Sequence, residues 1–447
     1  MSADKKILFA VLICVLVIPW PDKAFTQDKL GEIVSGSIYD RIRLRTTGGE
    51  TDLDNETRFT LNIGDMTKQK VTGHMQLGAI VDLNGNQSNS FYDIYNTFGS
   101  AAVGRIYYAY LDVNKIVPLD NFRFGRQHNY DFESFYFDGA SFDLTSFYGF
   151  KLSAYAGKPV HLYENQLGWG EGDFLIGSAL TWTPVDKMRI RFDGVHLRDE
   201  AAGFRVTEGK REDNLLGATV WLDPLKNWDV YGRFTSFSDQ TRDLTVATAV
   251  RSREADLRVK TSVYRLLQPY DVRVPELDLY SIAGTYQRYT EFMFDINKGF
   301  GKQVRANGGF SLRMLDTPQS VSAFNHGYER GYLTVNTSDM PIKGLSLSAT
   351  GDYYHGTDST LKNNHFGSSF YASQSLFKKR LVATAGTAYY LYRFNFATGD
   401  ESHDVQTVYA KLETKITKKI KVKTDYEYEH NNFNSYHTFN LGMLWDF

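Results

Sequence analysis

The 447-residue chain contains one cysteine, Cys14, and ten prolines, and its 50 Lys+Arg against 52 Asp+Glu leave a formal net charge of −2. A single cysteine excludes internal disulfides, Cys-x-x-Cys redox pairs and the Cys-x-x-Cys-His attachment site of c-type haem. The near-neutral balance argues neither for nor against a nucleic-acid partner. Past the first twenty residues there are no long apolar runs. Together with a mean hydropathy of −0.38, this excludes a bundle of membrane-spanning helices. The zinc-hydrolase pattern His-Glu-x-x-His and the nucleophile elbow Gly-x-Ser-x-Gly are absent as well. His355 near Asp352 and Asp358, and His403 beside Asp404, invite the idea of an acid–base pair. Ten histidines scattered over such a length produce neighbours of this kind by chance, so no enzyme and no cofactor are expected.

What the chain does have is 29 Tyr, 31 Phe and 37 Gly, 15% aromatic in all. A Tyr- and Phe-rich, proline-poor composition favours strands over helices. At the start, Lys5 and Lys6 precede the apolar run Ile7–Ile18, followed by Pro19-Trp20-Pro21. A charged segment ahead of an apolar core too short to span a bilayer comfortably is the pattern of a secretory signal. Residues 1–27 are therefore expected to be a cleaved signal peptide, cut between Ala24 and Gln27, and residues 28–447 a single domain. Leu12-Ile13 before Cys14 lacks the small residue that lipid attachment requires.

From about residue 33 one pattern repeats. Alternating segments about ten residues long are joined by short turns near Asp65–Gln69, Lys115–Asp120, Ser146–Gly149, Pro184–Lys187, Asp223–Asn227, Arg251–Glu254, Lys298–Gln303, Asp339–Gly344, Lys378–Arg380 and Thr417–Lys419. Longer connections fall between them, at Asn84–Gly99, His161–Gly172, Arg198–Asp213, Asp316–Asn325 and Ala397–Asp404. Tight turns at one end and long loops at the other are the hairpin logic of a transmembrane barrel, whose strands need meet lipid only at every second residue. The expectation is an all-β, antiparallel, up-and-down transmembrane barrel of about 22 strands (roughly 20–24), with both termini at the turn end and no plug domain. Plugged transporters that depend on TonB carry a large extra N-terminal domain, whereas here the first strand starts within about ten residues of the expected cleavage point.

Alternation assigns the faces. Val34, Ile38, Ile42 and Leu44 share one side of the first strand, and Ser35, Ser37, Tyr39, Arg41, Arg43 and Arg45 the other. The same logic puts Arg58, Arg123, Arg189, Arg191, Arg233, Arg258 and Lys260 on the inner face in the first two thirds. Asp352, Asp425, Glu427 and Glu429 take that face later. These residues are the candidates for lining a pore and setting its selectivity. Two arrangements remain open: a basic ladder facing an acidic one across the pore, or charges paired between neighbouring strands. The stretch from Gln268 to Thr290, with Pro269 and Pro275, could fold inward as a constriction or stay outside. Tyr107, Tyr108, Tyr110, Trp182, Trp221, Trp228, Tyr389, Tyr390, Tyr392, Tyr426, Tyr428 and Trp445 are candidates for the aromatic girdles of the membrane interfaces.

The chain end is the most specific feature. Phe439, Leu441, Met443, Trp445 and Phe447 occupy every second position up to the last residue. A final strand ending in an aromatic residue resembles the signal read by the barrel assembly machinery, which can capture an apolar-faced edge strand by strand pairing. Phe124-Gly125-Arg126-Gln127, followed by Phe137-Asp138-Gly139, resembles a strand–loop–strand unit of the large Gram-negative porin-like families, the alginate-export type among them. That resemblance implies an outer-membrane porin passing small polar or charged solutes, with outer-membrane lipid, lipopolysaccharide and the assembly machinery as partners, and oligomerisation open. The segment Tyr426-Glu427-Tyr428-Glu429 to Tyr436-His437-Thr438 looks like porins of metal- and sulfur-respiring bacteria. Some relatives of that kind sheathe multihaem cytochromes, which implies a second expectation, an electron conduit with separate cytochrome subunits.

Overall fold

The computed structural model describes residues 33–65, 68–85, 90–91, 94, 99–129, 135–160, 173–198, 212–237, 240–271, 285–317, 327–357, 364–394 and 401–447. The expected signal segment, most of 268–290 and most of the long connections lie outside the described residues.

A single 22-stranded antiparallel sheet forms the body of the molecule. Each strand pairs with the next along the chain. The same holds through the middle and later parts. Strand β1 (Val34–Thr47) also pairs with the last strand, β22 (Ser435–Asp446), in register from Ser37↔Asp446 to Thr46↔His437. The sheet therefore closes on itself, and no strand edge is left with unpaired backbone groups. Within a bilayer that closure is obligatory, because nothing there can hydrogen-bond an open edge. Apart from the barrel, the described residues hold a two-residue bridge between Tyr270–Asp271 and Thr285–Tyr286 and one short 3-10 turn, Phe377–Lys379.

The strands used below are β2 (Glu50–Ile63), β3 (Val71–Asp82), β4 (Ala102–Ile116), β5 (Leu119–Asn129), β6 (Phe135–Leu144) and β7 (Phe150–Pro159). They are followed by β8 (Phe174–Val185), β9 (Met188–Arg198), β10 (Glu212–Leu225), β11 (Trp228–Phe237) and β12 (Gln240–Ser252). All ten connections at the end that carries both Val34 and Phe447 are short and coincide with the turns read from the sequence. At the opposite end the sequence reading was incomplete. Three connections there are tight: Gly48-Gly49 between β1 and β2, two residues between Phe237 and Gln240, and Asn431–Asn434 before β22. Gly48 and Gly49 both take positive φ, 51° and 94°, the geometry that a two-residue hairpin matching strand twist demands. At the third, the Asn431 side-chain oxygen accepts from the backbone N–H groups of Phe433 and Asn434, both at 2.9 Å, and so builds the turn itself.

The two faces differ as period-2 alternation requires. Leu111, Phe124, Ile176, Phe192, Leu216, Val246 and Leu333 stand exposed on the outside, strand after strand. An apolar surface this extensive is incompatible with water and marks the lipid-facing belt. Trp182, Trp228 and Trp445 sit in it at the turn end, 37–38% exposed.

The barrel closes at the chain end. Phe447 N–H donates to Gly36 O at 3.0 Å, and Gly36 N–H to Phe447 O at 3.3 Å. The Phe447 ring stacks on Phe59 with centroids 6.2 Å apart and lies over Gly36, where a Cβ would come 2.5 Å from the ring. Phe439, Leu441, Met443 and Trp445 all point outward, 38–45% exposed.

Candidate functional site: the barrel lumen

The inner face is built from the residues that alternate with the belt. On β1 and β2 the register sets Arg41 opposite Glu56, Arg43 opposite Asp54 and Arg45 opposite Asp52. Each pair closes an ion pair: Arg41 Nη2 donates to Glu56 at 2.6 Å, Arg43 Nε to Asp54 at 3.1 Å and Arg45 Nε to Asp52 at 2.7 Å. Arg58 bonds the other oxygen of Glu56. Arg123 makes a two-pronged bond to Asp112 at 2.7 and 3.0 Å, its guanidinium 4.0 Å above the Tyr110 ring. Arg191 and Arg233 both reach Asp193, at 3.2 and 3.3 Å. Arg189 stacks over Trp221 at 4.0 Å.

On later strands Arg330 donates to Asp352 at 3.0 and 2.6 Å, and Asn440 to Asp425 at 2.6 Å. Glu427 shares the inner face with Asp425, in register with Tyr409 and Thr438. Of the two arrangements left open by the sequence, the Arg41–Arg45 ladder takes the second. Its acids come from the neighbouring strand, not from across the pore. Neighbouring strands lie about 5 Å apart, and two charges at that separation attract far more strongly than across a wide aqueous lumen.

Several aromatics expected in the girdles face inward. Tyr110 packs in tilted contact with His74 at 5.1 Å and Tyr108 at 5.6 Å, on the face that carries Asp112 and Arg123. Tyr107 and Trp221 also face inward, each against arginine. A bulge in β4, where Gln76↔Tyr108 is followed by Leu77↔Ile106, leaves Tyr107 without a partner and turns it into the lumen. Alternation alone could not have placed it, because a bulge resets the parity.

Two further inner features escaped the sequence reading. At Phe91, between β3 and β4, the chain lies inside: Phe91 is buried, 4.9 Å below the Arg45 guanidinium and edge-on to Tyr436 at 6.1 Å. Ser90 N–H donates to Glu50 at 3.0 Å. On the inner face of β6–β11 near the loop end, Phe135, Phe137, Tyr155, Leu175, Val195, Leu197 and Leu215 form a buried cluster joined by Phe237. The chain is apolar on both faces there, as in Phe174-Leu175-Ile176, so alternation gives no signal.

The Gly-Arg-Gln and Asp-Gly segments meet as neighbours on β5 and β6. Arg126 and Asp138 form a two-pronged pair at 2.8 and 2.7 Å, Arg126 being 1% exposed. Gln127 donates to Gly139 O at 3.2 Å and accepts from Ser141 at 2.8 Å. Gly125, Gly139 and Gly157 lie side by side across β5, β6 and β7. At Gly139 a Cβ would stand 2.1 Å from Ala156 O, so the strands pass too closely for any side chain. The unit is a structural clamp within the wall.

His355 and Asp352 are three residues apart on one strand, Leu345–Gly356, and period 2 sends them to opposite faces. They form no acid–base couple; Asp358 lies outside the described residues, as does the His403 side chain. No group of three metal-ligating side chains occurs among the described residues.

A closed antiparallel barrel with an apolar outside and a charged inside is a transmembrane β-barrel of the outer-membrane type. Solved structures share the fold. The chain is similar to a mutant of the ferric enterobactin receptor PfeA of Pseudomonas aeruginosa, with 9% identity, a TM-score of 0.56, and 93% of this chain and 81% of that one covered. It is similar to the siderophore receptor PirA of Pseudomonas aeruginosa at 10% identity and TM-score 0.55, with the same coverage. The translocation pore of the P pilus usher PapC gives 9% identity and TM-score 0.50 over 93% of this chain and 99% of that one. Identities this low establish the architecture and leave the cargo open. No family model and no curated protein matches the chain.

Proposed function

We propose that this chain is an outer-membrane channel through which small polar or charged solutes diffuse passively, exported by way of a signal peptide within residues 1–27. The observation that carries the reading is the lumen wall: charged and hydrogen-bonding side chains line the inside of a closed 22-stranded barrel. A barrel of that size is too wide for its own side chains to fill. Arg41, Arg43, Arg45, Arg58, Arg123, Arg189, Arg191, Arg233, Asp425 and Glu427 are the residues that would tune which ions pass. The outward row from Phe439 to Phe447 serves the assembly machinery, which inserts the barrel among outer-membrane lipid and lipopolysaccharide. The decisive test is planar-bilayer recording of the refolded barrel in potassium chloride. Discrete, ohmic conductance steps are expected; a folded, inserted barrel that gives none would sink the channel reading.

A further inference from the structure

One part of the lumen wall sets two guanidinium groups against a single aromatic ring. Arg58, Gly78 and Arg105 lie in one row across β2, β3 and β4. The Tyr107 ring, turned inward by the bulge, rests on Gly78, where a Cβ would sit 2.5 Å from the ring carbon Cε2. A side chain at Gly78 would have to push the ring off this seat. The guanidinium carbons of Arg58 and Arg105 lie 5.1 and 4.9 Å from the ring centroid, so one aromatic ring holds both cations.

Arg58, Arg105 and Tyr107 line a cavity of about 490 Å³ together with Arg41, Arg43, Asp54, Glu56 and Ile80. Four guanidinium groups face two carboxylates there. Asp54 is held by Arg43, with Arg45 at 3.6 Å, and Glu56 is shared by Arg41 and Arg58. Arg105 meets no carboxylate within 4.0 Å among the described residues. Elsewhere on the wall, the Arg123–Asp112 and Arg330–Asp352 pairs are balanced one to one, whereas Arg191 and Arg233 share Asp193.

We propose that this cavity is a binding site for small oxyanions, solutes carrying a phosphate or carboxylate group, with Arg105 and Arg58 as the anion ligands and Tyr107 as the residue that positions them. Guanidinium offers paired N–H donors that match the oxygens of either group, and the excess of two cations supplies the charge that a bound anion neutralises. The bulge and the glycine seat hold the donors in place beforehand, which lowers the ordering cost of binding. The inference deepens the channel reading by naming a solute class, but binding can be measured without conduction.

The test uses inorganic phosphate as probe and the full refolded barrel in detergent, by titration calorimetry at constant ionic strength, with glucose as an uncharged control. Saturable phosphate binding is expected. Arg105→Gln and Tyr107→Leu should each weaken it about tenfold, as befits loss of a charge-assisted contact, while Tyr107→Phe, which keeps the ring, should retain it. No saturable phosphate heat for the folded wild type, or equal affinity in wild type and Arg105→Gln, overturns the site. A barrel that binds phosphate but never conducts refutes the channel and leaves the site standing; one that conducts without binding phosphate does the reverse.

Discussion

Arg126 is almost wholly buried and held by both oxygens of Asp138. Removing one partner of such a pair strands a charge where water cannot reach it, which typically costs about 3–5 kcal/mol. Arg126→Ala is expected to destabilise the barrel by about that much in equilibrium urea unfolding, and the Arg126→Met/Asp138→Leu double variant by clearly less than the sum of its single changes. Additive losses would mean that the pair does not act as a unit. The inner arginines follow a different logic. Those of β1 are answered by carboxylates on β2, so their charge is largely cancelled at short range. Arg189 rests on the Trp221 ring and meets no carboxylate within 4.0 Å among the described residues. Arg189→Glu should therefore shift the reversal potential toward cations in a salt gradient; an unmoved potential would remove Arg189 from any selectivity role.

At the level of the strand, the face that a residue occupies outweighs its chemical type. Val246 and Thr245 are neighbours on β12. Val246 stands in the lipid belt, whereas Thr245 is in register with Arg233 on the inner face. A cation placed at the bilayer midplane costs about 2–4 kcal/mol. Val246→Arg should show a loss of that order in unfolding titrations, while Thr245→Glu, whose new charge faces Arg233, should leave stability little changed. Equal effects at both positions would contradict the assignment of faces. The closing strand offers a second check. Phe447 ties β22 to β1 through two backbone bonds and packs its ring over Gly36 and against Phe59. Phe447→Ala keeps the backbone bonds but loses the ring, so it should lower the yield of heat-modifiable, folded barrel on gel electrophoresis. Gly36→Val, which must displace both the ring and the Thr60 carbonyl, should lower it further.

For the whole molecule, a single sequence was enough to read strands, turns at one end, faces and closure. Each of these is written locally: polarity with period 2 fixes the face, Gly, Pro, Asn, Asp and Lys clusters fix the turns, and the apolar row ending in Phe447 marks the strand that must meet the first. The sequence did not determine which charges would meet, where β4 would bulge, that Phe91 would lie under Arg45, or that Tyr107, Tyr108, Tyr110 and Trp221 would turn inward. All of these depend on the register between strands, which is a property of the closed sheet, set by shear and twist summed around the barrel. Arg41, Arg43 and Arg45 could be read as a ladder from the chain alone. That their counter-charges come from β2, and that Arg105 is left to share a tyrosine with Arg58, became decidable only when each strand had its neighbours.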